Sequence, residues 1–301
     1  MDKIFYNKWL AVVLSAVLTF FNICKIEFIF SWVCFVPLFL CIMNSQPKQA
    51  FKRGSIFGFV FSIFCFYWVI PGAEKFTGSS PIYGILVWLV FMGFFSIFYG
   101  IILYIFSYLK VKEESRKAIW LNSFLIATLF TLAEFFLLIF SANFPWLAVY
   151  SGNGLAANIY SVQPVAIFGM SVLTFIAVFV NFLFAFYIQK KQWKKCWIPV
   201  TTAVLYLISG FVILKNFQSN AFIDKPFNVA ILAENIPPEM KWDNQNGNLL
   251  AKRLLDLNTS AVALKPGIIL WSESAIPWTY KKDDDLVNEI LKTTSNKPIT
   301  H

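Results

Sequence analysis

The 301 residues are 58% hydrophobic and 19% aromatic, and only 14% are charged, against roughly 25% in a soluble domain. With a mean hydropathy of +0.65, that composition excludes a soluble globular protein. Ten Lys/Arg and ten Asp/Glu follow Leu214, so the whole formal charge of +9 sits upstream, in the apolar portion, where it is a topology signal and not a nucleic-acid footprint.

Apolar runs between charged breaks predict seven spans: about Trp9 to Ile23, Ile26 to Met43, Gly54 to Gly72, Ile82 to Leu109, Ala118 to Phe140, Val165 to Gln189 and Cys196 to Leu214. The first two are short enough for a tight hairpin. No A-x-A pattern closes the first span, so it is not read as a cleaved signal peptide. The connections on one side carry thirteen Lys/Arg (Lys3, Lys8, Lys48, Lys52, Arg53, Lys110, Lys112, Arg116, Lys117, Lys190, Lys191, Lys194, Lys195) against Lys25 and Lys75 on the other. The bias predicts a cytoplasmic amino terminus, and an odd number of spans then delivers residues 215–301 to the opposite, outward side, which in a bacterium means the periplasm or the outer membrane face.

Between the fifth and sixth spans, Ser141 to Pro164 is uncharged and holds Phe144-Pro145-Trp146, Tyr150, Gly152, Gly154 and Tyr160. It reads either as an interfacial aromatic belt or as a half-buried loop shaped for acyl chains at the outer leaflet. Glu134, inside the fifth span, is a functional candidate because a carboxylate in lipid is costly; a hydrogen-bonded carboxyl between helices is the alternative. As the one ionisable residue deep in a span, it argues against a transporter.

Phe227 to Ala233 is predicted as a buried strand, followed by a Pro-containing loop, Asn235-Ile-Pro-Pro-Glu-Met-Lys-Trp-Asp. Asp243 is expected to cap a helix from about Asn244 to Leu257. Gly267-Ile-Ile-Leu-Trp reads as a second strand, and Asp283 to Leu291 as a second helix. Strand, helix, strand, helix indicates α/β with parallel pairing, too short for a full layer structure. Glu273 stands at the carboxyl end of the second strand, where α/β folds place working groups; Leu270, Trp271, Ala275 and Ile276 are expected to desolvate it and suit it to general-base work. The single histidine, His301, removes Ser-His-Asp and His-rich zinc chemistry. No cysteine follows Cys196, and no metal or nucleotide motif is present.

Asn143-Phe-Pro-Trp-Leu-Ala-Val-Tyr, Gln163-Pro, Gly169-Met-Ser-Val-Leu-Thr-Phe and Asn181 resemble the span-loop-span signature of apolipoprotein N-acyltransferases. Asn235 to Asp243, with Ile269-Leu-Trp-Ser-Glu-Ser-Ala-Ile-Pro, resembles the start of their nitrilase-like (carbon-nitrogen hydrolase) domain. The resemblance implies a multi-span α-helical membrane domain, residues 1–214, followed by the incomplete start of an α/β (nitrilase-like α-β-β-α) domain, residues 215–301. It implies no cofactor and no metal. It also implies acyl transfer from a phospholipid, through a cysteine thioester of a Glu-Lys-Cys triad, to the amine of a diacylglyceryl-modified lipoprotein cysteine. Glu273 matches the general-base glutamate, Trp242 a lipid-proximal aromatic, and Trp146, with Phe144 and Pro145, the outward membrane loop. Ser272 stands where the family commonly has Pro, and Glu234 where a small or amide residue is more usual. The triad lysine and cysteine are unmatched, so the chain is expected to be an amino-terminal fragment, inactive by itself. A non-catalytic membrane scaffold keeping the lipid-binding region is the alternative.

Overall fold

Residues 8–78, 80–113, 115–142, 149–220, 228–237, 240, 244–273, 275–276 and 284–294 are described by a computed structural model of the chain. It divides into two compact units, residues 1–71 with 81–220 and residues 72–80 with 221–301.

The first unit is helical: α1 Lys8–Cys24, α2 Val36–Ile42, α3 Pro47–Cys65, α4 Val69–Thr77, α5 Ile82–Leu109, α6 Arg116–Phe140, α7 Ile159–Val162, α8 Val165–Phe168, α9 Ser171–Gln189 and α10 Trp197–Asn220, with α4 running across the division between the units. Four of the seven expected spans become helices long and apolar enough to cross a membrane by themselves. A fifth, α3 with α4, is bent by 45°. The bend has a covalent cause: Pro71 lacks the N–H that a continuous helix would direct at the Tyr67 carbonyl four residues back.

The first two expected spans are shorter than a crossing. The 17 residues of α1 reach only about 25 Å at 1.5 Å per residue. Beyond Ile26, held at φ +54°, a 3₁₀ turn, Phe28–Trp32, leads to the seven-residue α2. They do form the expected hairpin, because Ser15 Oγ donates to the Cys34 carbonyl at 2.5 Å and Cys41 Sγ to the Lys8 carbonyl at 3.4 Å.

Phe35, Phe39, Phe57, Phe61, Phe95, Tyr99 and Phe130 are fully buried. They interlock edge-to-face, with Phe57–Tyr99 centroids at 4.9 Å and 86° and Phe35–Phe130 at 5.3 Å and 70°. Since lipid tails are as apolar as leucine, such packing, not water exclusion, holds helices together in a membrane. Close approach needs small residues. A Cβ on Gly54 would lie 2.5 Å from the Tyr99 carbonyl oxygen, and one on Gly58 2.1 Å from that of Phe95, so the Gly54-x-x-x-Gly58 face lets α3 touch the α5 backbone. Outward, Val90, Phe136 and Phe140 are at least 64% exposed, the inverse of a water-soluble surface.

In the second unit, β1 Val229–Leu232 and β2 Ile268–Trp271 pair in parallel, Val229 opposite Ile268 and Leu232 opposite Trp271. Helices α11 Gly247–Ala263 and α12 Asp285–Thr294 complete it. Leu232 and Ile269 pack on Ala261 and Val262 of α11, and Leu254 of α11 packs on Leu286 and Ile290 of α12. The parallel pairing is the one expected. The helix is longer than predicted and starts at Gly247, after a 3₁₀ turn at Asn244–Asn246, with no side-chain capping bond from Asn246; Asp243 lies outside the described residues.

Candidate functional site

Glu134 sits in the last third of α6, 3% exposed. Its carboxylate accepts the backbone N–H of Ser151 at 3.0 Å and the hydroxyl of Thr174, on α9, at 2.5 Å. From α1, Asn22 donates through Nδ2 to the Ser151 carbonyl at 2.7 Å, while its Oδ1 accepts the Ser31 hydroxyl at 2.6 Å and the Gly154 N–H at 3.2 Å. Asn153 Nδ2 donates to the Ile23 carbonyl at 2.9 Å. The segment Ser151–Gly154, a turn that runs into a 3₁₀ helix at Asn153–Ala157, is therefore tied by side chains of α1, α6 and α9, with Ser151, Gly152 and Gly154 buried. A break between helices is tolerated inside an apolar bundle where protein groups satisfy its backbone in this way.

Glycine makes the fit possible. A Cβ on Gly152 would lie 2.1 Å from the Leu173 carbonyl carbon, so the loop presses directly on the first turn of α9. That turn begins at Ser171, later than the Val165 expected, because Gly169 at φ +73° separates α8 from α9. Asn181, farther along α9, donates to the Ser31 carbonyl at 2.7 Å and accepts the Phe35 N–H at 2.9 Å, fixing the turn that carries Ser31. Of the two sequence readings of Glu134, the structure has the hydrogen-bonded carboxyl. Sequence reasoning missed Asn22 and Thr174 as its neighbours; amides inside apolar runs were the available signal, since polar side chains there seek partners on other helices.

Phe144, Pro145, Trp146 and Trp242 lie outside the described residues. Glu273 lies two residues beyond the end of β2, near the strand's carboxyl end as expected, but it is exposed. The desolvation expected from its neighbours is not found: Leu270 turns outward at 48% exposure, and Ala275, although buried, leaves the carboxylate open to solvent. One residue earlier, the Ser272 hydroxyl donates to the carboxylate of Glu234, itself 6% exposed. The two positions at which the family resemblance is imperfect thus contact each other across the ends of β1 and β2. Lys292, with Glu289 at 2.5 Å, lies on an exposed helix face. No cluster of metal-ligating residues occurs among the described residues.

An apolar helical bundle with four helices long and apolar enough to cross a membrane defines an integral membrane protein, here built around a buried polar joint. The chain belongs to the family described as the apolipoprotein N-acyltransferase N-terminal domain, whose model matches residues 9–183. Every residue of the joint around Glu134 falls inside that match. Among curated relatives, the apolipoprotein N-acyltransferase of Geobacter metallireducens is 25% identical over 268 residues, covering 86% of this chain and 49% of the relative. That of Haemophilus ducreyi is 28% identical over 233 residues (76% and 43%), and that of Pseudomonas syringae pv. tomato 26% identical over 245 (79% and 46%). The chain spans about half the length of the curated relatives it matches.

Proposed function

We propose that these 301 residues supply the membrane unit and the opening of the catalytic unit of an enzyme that N-acylates lipoproteins. The observation that carries this reading is the family match over residues 9–183, in a chain whose first unit is an apolar bundle. The acyl donor is a phospholipid of the bilayer, and the acceptor is the α-amino group of a diacylglyceryl-modified lipoprotein cysteine. In the first step a thiolate attacks the phospholipid ester carbonyl, forming a thioester and releasing the lysolipid. In the second the amine attacks the thioester, forming the amide and returning the thiol. Covalent catalysis thereby divides one exchange into two easier transfers.

Glu273 is the general base for the thiol proton. Support comes from its place two residues beyond a strand of a parallel pair, where side chains reach past the sheet, and its exposure leaves it open to a reacting partner. Residues 215–301 are the opening of a nitrilase-like domain. Phe144, Pro145, Trp146 and Trp242 are the lipid-proximal residues of this reading, on the strength of the motifs that carry them. The amino terminus is cytoplasmic and the second unit faces the periplasm of a bacterial inner membrane.

No cysteine follows Cys196 in these 301 residues, so in this reading the nucleophile belongs to sequence outside them. Supplied with a phospholipid carrying an alkyne-tagged palmitoyl chain and a diacylated lipopeptide, the 301 residues alone are expected to transfer no acyl group. Joined to the remaining half of the Haemophilus ducreyi relative they are expected to do so, and Glu273→Gln in that fusion to lower turnover by about 10²–10⁴. Transfer by the 301 residues alone, or a fusion indifferent to Glu273→Gln, would overturn the assignment.

A further inference from the structure

Cys24 ends α1 and Cys65 ends α3, and their Sγ atoms lie 2.8 Å apart. That is closer than two unbonded sulfurs rest, and within an ångström of the ~2.05 Å of a disulfide bond. The flanking packing brings them together: Phe20 and Phe64, on the same two helix ends, have ring centroids 5.9 Å apart. The pair opens onto a cleft of about 380 Å³ lined also by Tyr67, Trp68, Val149 and Asn153, which gives a reagent access. The other three cysteines have different surroundings, Cys34 beside Asn22, Cys41 against the Lys8 carbonyl, and Cys196 at the start of α10.

We infer that Cys24 and Cys65 are joined by a disulfide in the membrane-inserted protein, stapling α1 to α3 beside the clamped loop. Ile23, one residue before Cys24, accepts the hydrogen bond of Asn153, so the bond would fix the helix end to which that loop is tied. The inference rests on the orientation proposed above, which places this end at the outer, oxidising face. One thiolate attacks the disulfide of a dithiol/disulfide oxidant of that compartment; the second thiolate displaces the mixed disulfide. Two protons leave the cysteines and two electrons pass to the oxidant, which departs as its dithiol.

The experiment takes the full chain from bacterial membranes, quenched in acid. Free thiols are blocked under denaturing conditions, and the protein is then reduced and labelled with a polyethylene-glycol maleimide. Two additions per chain are expected, both lost in Cys24→Ser and in Cys65→Ser, with a Cys24–Cys65 linked peptide by mass spectrometry before reduction. Wild-type protein without additions overturns the inference, as does a linked pair other than Cys24–Cys65. Oxidising the purified chain with glutathione disulfide then identifies the fault. A bond formed only there means the pair faces a reducing compartment and the orientation is wrong; no bond there means the sulfurs do not meet. Neither readout depends on acyl transfer, so the enzymatic reading stands or falls separately.

Discussion

A carboxylate in a membrane bundle is tolerated when donors meet it, and Glu134 has two, one from the Ser151 backbone and one from the Thr174 side chain. Glu134→Ala would leave both unpaired, at a cost of about 1–3 kcal/mol for each buried group. Glu134→Gln keeps an oxygen for the Ser151 N–H and offers Thr174 an amide, so it should lose only a fraction of that. Thermal unfolding in detergent, with protease cleavage between residues 149 and 157, should show the alanine variant both less stable and cleaved faster. Equal behaviour of the two variants would show that the carboxyl does not hold the loop. Glu134 was legible as an oddity because a lone charge interrupts an apolar run. Its partners were not, because one is a main-chain N–H and the other a threonine hydroxyl, and neither leaves a trace in composition. Glu273 was legible in position through the strand preceding it; its exposure was not, because burial depends on what packs over the strand ends.

At the scale of elements, the apolar runs forecast helices correctly wherever length alone decided. They failed where backbone chemistry intervened, at Pro71 in the bent α3–α4 pair and at Gly169 before α9. Charge also misled: the expected third span began at Gly54, yet α3 starts at Pro47 and carries Lys48, Lys52 and Arg53 in its opening turns. Contacts at the helix end explain how, since Arg53 bonds the Cys41 carbonyl and the Ser45 hydroxyl. The Gly54-x-x-x-Gly58 face, which the structure shows against α5, has the spacing of a helix-packing motif. Its consequence is specific. Gly58→Ala puts a methyl against the Phe95 carbonyl, a backbone atom that cannot rotate aside, and should cost about 1–3 kcal/mol as α3 and α5 separate. Gly93, also on α5, has nothing within 4 Å of an added Cβ, so Gly93→Ala should be neutral or slightly stabilising. Melting both variants in the same detergent tests the contrast; if they melt alike, the close helix contact is absent. In the second unit, α11 covers one face of the β1–β2 pair, while Ile231 and Leu270 stand 77% and 48% exposed on the other. A two-stranded sheet open on one face is marginal in water. Amides of Val229–Leu232 and Ile268–Trp271 in the 301-residue chain should therefore exchange with deuterium within minutes, well ahead of those in α5 and α9; slow exchange would mean the sheet is covered.

For the whole molecule, the helix ends sort into two sets. At one end α2 stops, α3 starts, α5 stops, α6 starts and α9 stops, and Met43, Ser45, Lys110, Asn122 and Lys190 line a common cleft. At the other, the ends of α1 and α3 meet Val149 and Asn153. Lys110, Lys112 and Lys190 line the first cleft and Lys25 the second. Some of the thirteen have local work: Lys110 donates to the Met43 and Ser45 carbonyls at 2.6 and 2.9 Å, and Arg53 ties the same turn. Setting those two aside still leaves eleven against two in the sequence, so the bias does not rest on them. The first set should then face the cytoplasm. A phosphatase reporter that works only in the periplasm, fused after Asn220 at the end of α10, should be active, and the same reporter fused after Gln192 inactive. Replacing Lys190, Lys191, Lys194 and Lys195 with glutamine should move part of the Gln192 fusion population to the active side, because it removes four of the charges that hold that connection in. An active Gln192 fusion with the lysines intact would invert the orientation, and with it the placement of Glu273 and of the Cys24–Cys65 pair on the outer face.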